Sequence, residues 1–300
     1  MTPNVRIREV GARDGLQNET KVLAPEVRAE LIRRLAATGV PEIEAVSFVR
    51  ADLVPAMAEP EAVLALAGDL APRAPAVSGL VLNQRGYERA LAAGVRDLHY
   101  AFPVTDTFAR RNQNSTTEAG LALAHELIRR ARTDGARIDV GFICAFGCPF
   151  EGPVPESRVL GLAERLMPEP PDSVTVADTI GVGVPTQATA LVRGLLPYGR
   201  PVVVHLHNTR NTGLANAYAA VEAGASGLDA SVGGAGGCPF APRATGNVAT
   251  EDVVYLLRGL GVETGISLQS MIETAHWLES QLDKQLPSML ARAGDFIPVT

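Results

Sequence analysis

Two histidines one residue apart, in VVVHLHN (residues 202–208), give the strongest chemical signal in the chain. The valine-rich run reads as a β-strand, and alternate residues of a strand share a face. His205 and His207 therefore point the same way as Val203, while Val204 and Leu206 point the other way. Two imidazoles facing one cavity suit a divalent metal, whereas two core histidines satisfied by hydrogen bonds are the plainer alternative. A carboxylate and an amide would complete the set. Asp14, in REVGARDGLQNE (8–19), is the candidate carboxylate, and Asn247 is the candidate amide. Such an oxygen-rich shell with open positions suits Mg2+ or Mn2+, and Zn2+ less well.

Arg13 stands beside Asp14. A guanidinium keeps its proton and offers a rigid fork of donors, so next to a metal it could stabilise an oxyanion or enolate; the plainer fate of an arginine is a surface ion pair. The turn chemistry of Gly11, Asp14 and Gly15 explains those three residues but not Arg13, Gln17 and Glu19. Glu44, in EIEAVSF (42–48), shares a face with Glu42 and Val46, and either serves the site or pairs with Arg13 or a histidine. Asp178, in VADTIGVG, is either a site acid or a helix-capping acid. Cys238 sits in the glycine-rich GGAGGCPFAPRATGN (233–247), where a thiol on a mobile loop over a metal site can act as general acid or base. The helix start after that loop could attract an anion. Cys144 and Cys148, in CAFGC, lack metal-finger spacing and read as structural.

These residues need a frame that gathers them. Eight short β-rich runs alternate with helical stretches: 5–10, 42–48, 76–82, 95–102, 137–143, 173–178, 201–207 and 226–232. Glycine follows several helices just before the next strand, the usual helix stop. Eight such units predict a (β/α)8 TIM barrel in preference to a doubly wound open sheet. Barrel active sites lie at the C-terminal ends of the strands. Arg13 and Asp14 follow strand one, Glu44 lies in strand two and Asp178 ends strand six. The histidines end strand seven, and the glycine-rich loop follows strand eight. Residues 1–264 are read as the barrel, and 265–300 as a helical extension packed on it, with a helix near Ser270–Lys284. Trp277 and Met271 in that helix either pack on the barrel or meet another subunit.

At 300 residues with 46% hydrophobic and 20% charged side chains, the chain can bury a large core, which excludes disorder. The net charge of −6, with both signs interspersed, gives no basic footprint for nucleic acid. Three cysteines do not make a disulfide scaffold. No apolar run is long enough to span a membrane, and the first strand begins too early to leave room for a signal peptide, so a cytoplasmic protein is expected.

Taken together, VGARDGLQNE, EAVSFV, FGCPFEG, ADTIGVG, the histidine pair and GGAGGCPFAPRATGNVATEDVVYLL resemble the 3-hydroxy-3-methylglutaryl-CoA (HMG-CoA) lyase family, from about Val5 to Leu257. The resemblance implies a metal-dependent barrel that cleaves HMG-CoA to acetyl-CoA and acetoacetate. It implies Asp14, His205, His207 and Asn247 as metal ligands and Arg13 as the enolate-stabilising arginine. Glu44 matches the catalytic glutamate and Cys238 the loop cysteine, and Cys238 or His205 would deliver the proton to carbon. Glu9, Asp178 and Glu251 match supporting acids. Substrate contacts are expected from Arg13, Gln17, Asn112 and Arg243. The implied partner is an acyl-CoA, with no nucleic acid or membrane, and a homodimer or higher homo-oligomer is expected.

Four departures stand out. Asn208 replaces an aspartate, Ala12 a proline, and Pro103 or Val104 a serine; Arg243 stands where the family has glycine. They spare the ligands but touch their surroundings. A lyase for a related 3-hydroxyacyl-CoA, longer-chain or citramalyl type, and a non-catalytic acyl-CoA-binding barrel are the alternatives.

Overall fold

The computed structural model describes residues 5–70, 75–237 and 246–296. Cys238 and Arg243 lie outside the described residues. Each valine- and isoleucine-rich run becomes a strand: β1 (Arg6–Glu9), β2 (Glu42–Ser47), β3 (Ala76–Val81), β4 (Asp97–Pro103), β5 (Arg137–Ile143), β6 (Ser173–Asp178), β7 (Val202–Leu206) and β8 (Gly227–Ala230). All are parallel, in sequential order, and β1 pairs with both β2 and β8. That closure makes the sheet a barrel and removes the open-sheet reading.

The outer ring comprises α1 (Pro25–Ala37), α2 (Pro60–Ala67), α3 (Gln84–Ala92), a short α4 (Asp106–Gln113), α5 (Thr117–Asp134), α6 (Glu156–Leu166), α7 (Pro185–Leu195), α8 (Gly213–Ala223) and α9 (Thr250–Gly259). Proline at the first position starts α1, α2 and α7, where its missing N–H costs nothing. Outward strand residues such as Ile7, Ile43, Val140, Val204 and Leu206 are fully buried against this ring and form the main core.

The barrel interior is unlike that core. Barrel interiors are commonly filled with branched apolar side chains. Here Arg8, Glu44, His99, Asp139, Thr175 and Asp229, all buried, point inward from six strands. A bulge after Glu44 shifts the register, so that Glu44 pairs with Ser78 but Val46 with Gly79. Val46 therefore leaves the face that it was expected to share with Glu44.

After the barrel come α10 (Leu268–Leu282) and α11 (Leu290–Ala293). Met271 is fully buried, and Arg34 of α1 stacks over the Trp277 ring at 4.7 Å. Both residues thus pack on the barrel. Among the described residues, no helix is long and apolar enough to cross a membrane.

Candidate active site

After β1 the chain winds into one wide turn, Gly11–Gly15, closed by the Gly15 amide donating to the Val10 carbonyl at 3.1 Å. This five-residue closure is a π-type turn, and such turns recur at functional sites. Gly11 and Gly15 were expected for backbone freedom, but neither has a positive φ. Their reason is close approach: a Cβ on Gly11 would lie 2.6 Å from Glu9 Oε1, and one on Gly15 2.8 Å from Ser231 Oγ. The turn is pressed against the end of β8.

Two buried acids fasten that junction. Glu9 Oε1 accepts from the Gly11 and Val232 amides at 2.7 and 2.9 Å, and Oε2 accepts from the Thr250 hydroxyl. Glu251 accepts from the Gly233 amide at 3.1 Å. Burial pushes Glu9 up to about 7 and Glu251 up to about 8. Asp178 accepts from the Val182 and Gly183 amides, both at 2.9 Å, and so anchors the loop after β6. Burial pushes its carboxyl up.

The turn hangs Arg13 and Asp14 over the barrel mouth, facing the end of β7. Asp14 Oδ2 is 4.0 Å from His205 Nε2 and 3.9 Å from His207 Nε2. Asp14, His205 and His207 offer ligand atoms within 4.8 Å of one another. Asn247 is brought in by local pairing. The Asn208 amide donates to the Gly246 carbonyl at 2.9 Å and the Val248 amide to the Leu206 carbonyl at 3.0 Å, so His207 and Asn247 form an isolated bridge. Asn247 Nδ2 donates to Asp14 Oδ2 at 2.9 Å and to the Ala235 carbonyl at 3.1 Å, while its Oδ1 is buried without a hydrogen-bond partner. Two imidazole nitrogens and a carboxylate gathered at one point, with the Asn247 amide against that carboxylate and its oxygen left without a partner, fit a divalent cation.

The charges suit that use. Burial pushes Asp14 up, but Arg13 and the two histidines outweigh it and hold the carboxyl below its usual range. Burial and the neighbouring imidazole push His207 down to about 4, leaving it neutral near pH 7. Burial lowers His205 as well, but the Asp229 hydrogen bond and Asp14 outweigh it and raise its affinity for a proton. Asp229 takes His205 Nδ1 at 3.1 Å, leaving Nε2 toward Asp14. A ligating histidine usually has its other nitrogen fixed in this way.

Arg13 is held on both sides. Its Nη1 donates to Asp14 Oδ1 and its Nη2 to Glu44 Oε2, each at 2.6 Å. Glu44 would be pushed up by burial, but Arg13 and His99 hold it far below the usual carboxylate range. The site residues read from sequence thus converge where they are described. Gln17 and Asn112 line the same cavity, and Gln17 Oε1 is buried without a hydrogen-bond partner. Glu19 does not join them. It pairs with Lys284 at 2.6 Å at the end of α10, while Asn18 donates to the Gly237 carbonyl. Val49, Leu80, Phe108 and Ile143 supply apolar walls.

Sequence reasoning missed His99, Asp229 and Arg8. Arg8 stands among charged neighbours in RIRE, and His99 and Asp229 are single inward residues of DLHYAFP and GLDA, so inward phase was the signal that could have found them.

Comparison with known proteins accords with this arrangement. The HMGL-like family model matches residues 4–278. The chain is 45% identical to the (R)-citramalyl-CoA lyase of Chloroflexus aurantiacus, over 98% of this chain and 96% of the relative. It is 39% identical to the cytoplasmic 3-hydroxy-3-methylglutaryl-CoA lyase of Danio rerio, over 96% and 86%. A solved HMG-CoA lyase from Acinetobacter baumannii, in complex with coenzyme A and 3-methylmalate, superposes with a TM-score of 0.91 at 33% identity, covering 99% of this chain and 98% of that one. With the barrel, the paired histidines and the Arg-Asp turn already in place, these matches establish that the chain belongs to the HMGL-like family of lyases.

Proposed function

We propose that the protein is a divalent-metal-dependent lyase that cleaves a 3-hydroxyacyl-CoA bearing a tertiary hydroxyl and a free carboxylate, releasing acetyl-CoA and a keto acid. The observation that carries this reading is the placing of the Arg13 guanidinium, gripped by Asp14 and Glu44, beside the His205–His207 pair at one cavity mouth. Citramalyl-CoA, which would yield pyruvate, is placed ahead of HMG-CoA, which would yield acetoacetate. The two differ by one methylene before the carboxylate. The greater identity to a citramalyl-CoA lyase supports that order.

Asp14, His205, His207 and Asn247 would hold the cation. When bound, it supplies Lewis acidity toward the hydroxyl and carboxylate oxygens of the substrate. Arg13 faces the same cavity and stabilises the negative charge that gathers on the thioester oxygen as the carbon–carbon bond breaks. Glu44 keeps the guanidinium in that orientation. His205 is assigned to holding the cation alone, because Nδ1 is on Asp229 and Nε2 faces Asp14. The hydroxyl proton passes to water at the cavity mouth as the carbon–carbon bond breaks, and Cys238 is assigned the proton delivered to the acetyl carbon, its thiolate regaining one from solvent. The apolar walls enclose the acyl group and limit the access of water.

The test is a panel of acyl-CoA esters with Mn2+ or Mg2+, scored for acetyl-CoA, pyruvate and acetoacetate. Pyruvate from citramalyl-CoA, at a kcat/KM above that for HMG-CoA, is expected. A higher kcat/KM for HMG-CoA would reverse the substrate order. Release of acetyl-CoA from no member of the panel would overturn the lyase reading.

A further inference from the structure

His99, on β4, points into the barrel and is buried. Its Nδ1 lies 3.1 Å from Glu44 Oε1. The other oxygen of that carboxylate, Oε2, receives Arg13 Nη2 at 2.6 Å. One carboxylate therefore joins an imidazole to the guanidinium. The far side of the ring faces Asp139, with Nε2 at 3.5 Å from Oδ2. Asp139 is itself held by Arg8 at 3.1 Å and by the Thr175 hydroxyl at 2.7 Å. Space for the ring is provided by Gly141 on β5, since a Cβ there would come within 2.8 Å of His99 Nε2.

A glutamate held at one oxygen can still turn about its terminal torsion, which is broad for such side chains. Held at both oxygens, its plane is fixed, and so is the fork that it grips. The Arg13 Nε is buried without a hydrogen-bond partner, so the orientation of the guanidinium depends on its two terminal nitrogens. His99 also lines the cavity, but it is absent from the group of Asp14, His205 and His207 that could hold a cation.

We infer that His99 is a positioning residue for the reaction, acting through Glu44 to hold the Arg13 guanidinium where charge develops. This rests on the reading that Arg13 stabilises that charge. His99→Ala removes the donor, whereas His99→Asn places an amide N–H where Nδ1–H was. The experiment measures kcat, KM and Mn2+ binding for both variants, and for His99→Ala combined with Arg13→Lys. Misplacement of a reacting group by about 1 Å can cost about a hundredfold.

The expected result is a kcat for His99→Ala lower by about tenfold to a hundredfold. KM and Mn2+ binding stay near the wild-type values, most of the rate returns in His99→Asn, and Arg13→Lys loses no further rate when His99→Ala is added. Wild-type kcat in His99→Ala, failure of His99→Asn to recover rate while it binds Mn2+ normally, or a further loss on top of Arg13→Lys would each overturn it. If His99→Ala does not fold, His99→Leu fills the space without donating and serves the same comparison. A wild-type rate in Arg13→Lys alone would instead overturn the role given to Arg13.

Discussion

Arg8 grips Asp229 with two prongs, Nε to Oδ1 and Nη2 to Oδ2, each at 2.8 Å, across the closure of the barrel between β1 and β8. Both side chains are almost fully buried. Asp229 holds His205, and Arg8 also reaches Asp139, so the pair forms a charged floor beneath the site.

Removing Arg8 takes the shared guanidinium away from two buried carboxylates, Asp139 and Asp229. Arg8→Met should cost about 3–5 kcal/mol of stability, the usual effect of breaking a buried pair from one side. The exposed Lys21–Asp283 pair is the internal control, and Lys21→Met should cost no more than about 1 kcal/mol. Chemical denaturation of the three proteins checks both. Equal midpoints for Arg8→Met and wild type would mean that the buried lattice contributes nothing.

Asp229→Asn keeps the shape but weakens the hold on His205 Nδ1. Loss of such an outer partner typically lowers metal affinity by about 10–100-fold. Calorimetric titration with Mn2+ should find that drop without loss of fold. Unchanged affinity would show that His205 needs no orienting partner.

Glu9 and Glu251 give the protein a stability that depends on pH. Their folded affinities for a proton, about 7 and about 8, lie above the ordinary glutamate value of 4.5. Between that value and about 7–8 these two groups bind more protons in the folded chain than in the unfolded one, so their share of the stability falls as pH rises through this window. The slope is at most about 1.4 kcal/mol per pH unit for each group. Asp14, Glu44 and Asp229 are shifted the other way, and their contribution is lost only as pH falls below about 4. Thermal unfolding between about pH 5 and 8 should therefore show less loss of stability with rising pH in Glu9→Gln and Glu251→Gln than in wild type. Identical slopes would contradict the burial argument.

Much of this was readable in the chain because strands and ligands carry local signals. The alternation in VVVHLHN places His205 and His207 on one face whatever the rest of the fold does, and each of the eight strands starts from a comparable run. Asp14 follows from the position of its turn after a strand. The remainder depends on closure. Arg8 and Asp229 are 221 residues apart and acquire meaning only when β8 returns to β1. His99 looks like one polar residue in an apolar strand until β2 and β5 bring Glu44 and Gly141 to it. The bulge that moves Val46 is invisible to a strict period of two. Glu19, which turn chemistry left unexplained, has its partner, Lys284, in the tail.

The central claim is that Asp14, His205, His207 and Asn247 hold one divalent cation at the place where the acyl-CoA is cleaved. Mn2+ titration of chelator-stripped protein, followed by electron paramagnetic resonance, tests it most directly. The account predicts one bound ion per wild-type chain, and loss of that ion in Asp14→Ala and in His207→Ala, with both variants still folded by circular dichroism. Binding of Mn2+ in both variants with wild-type affinity would contradict it.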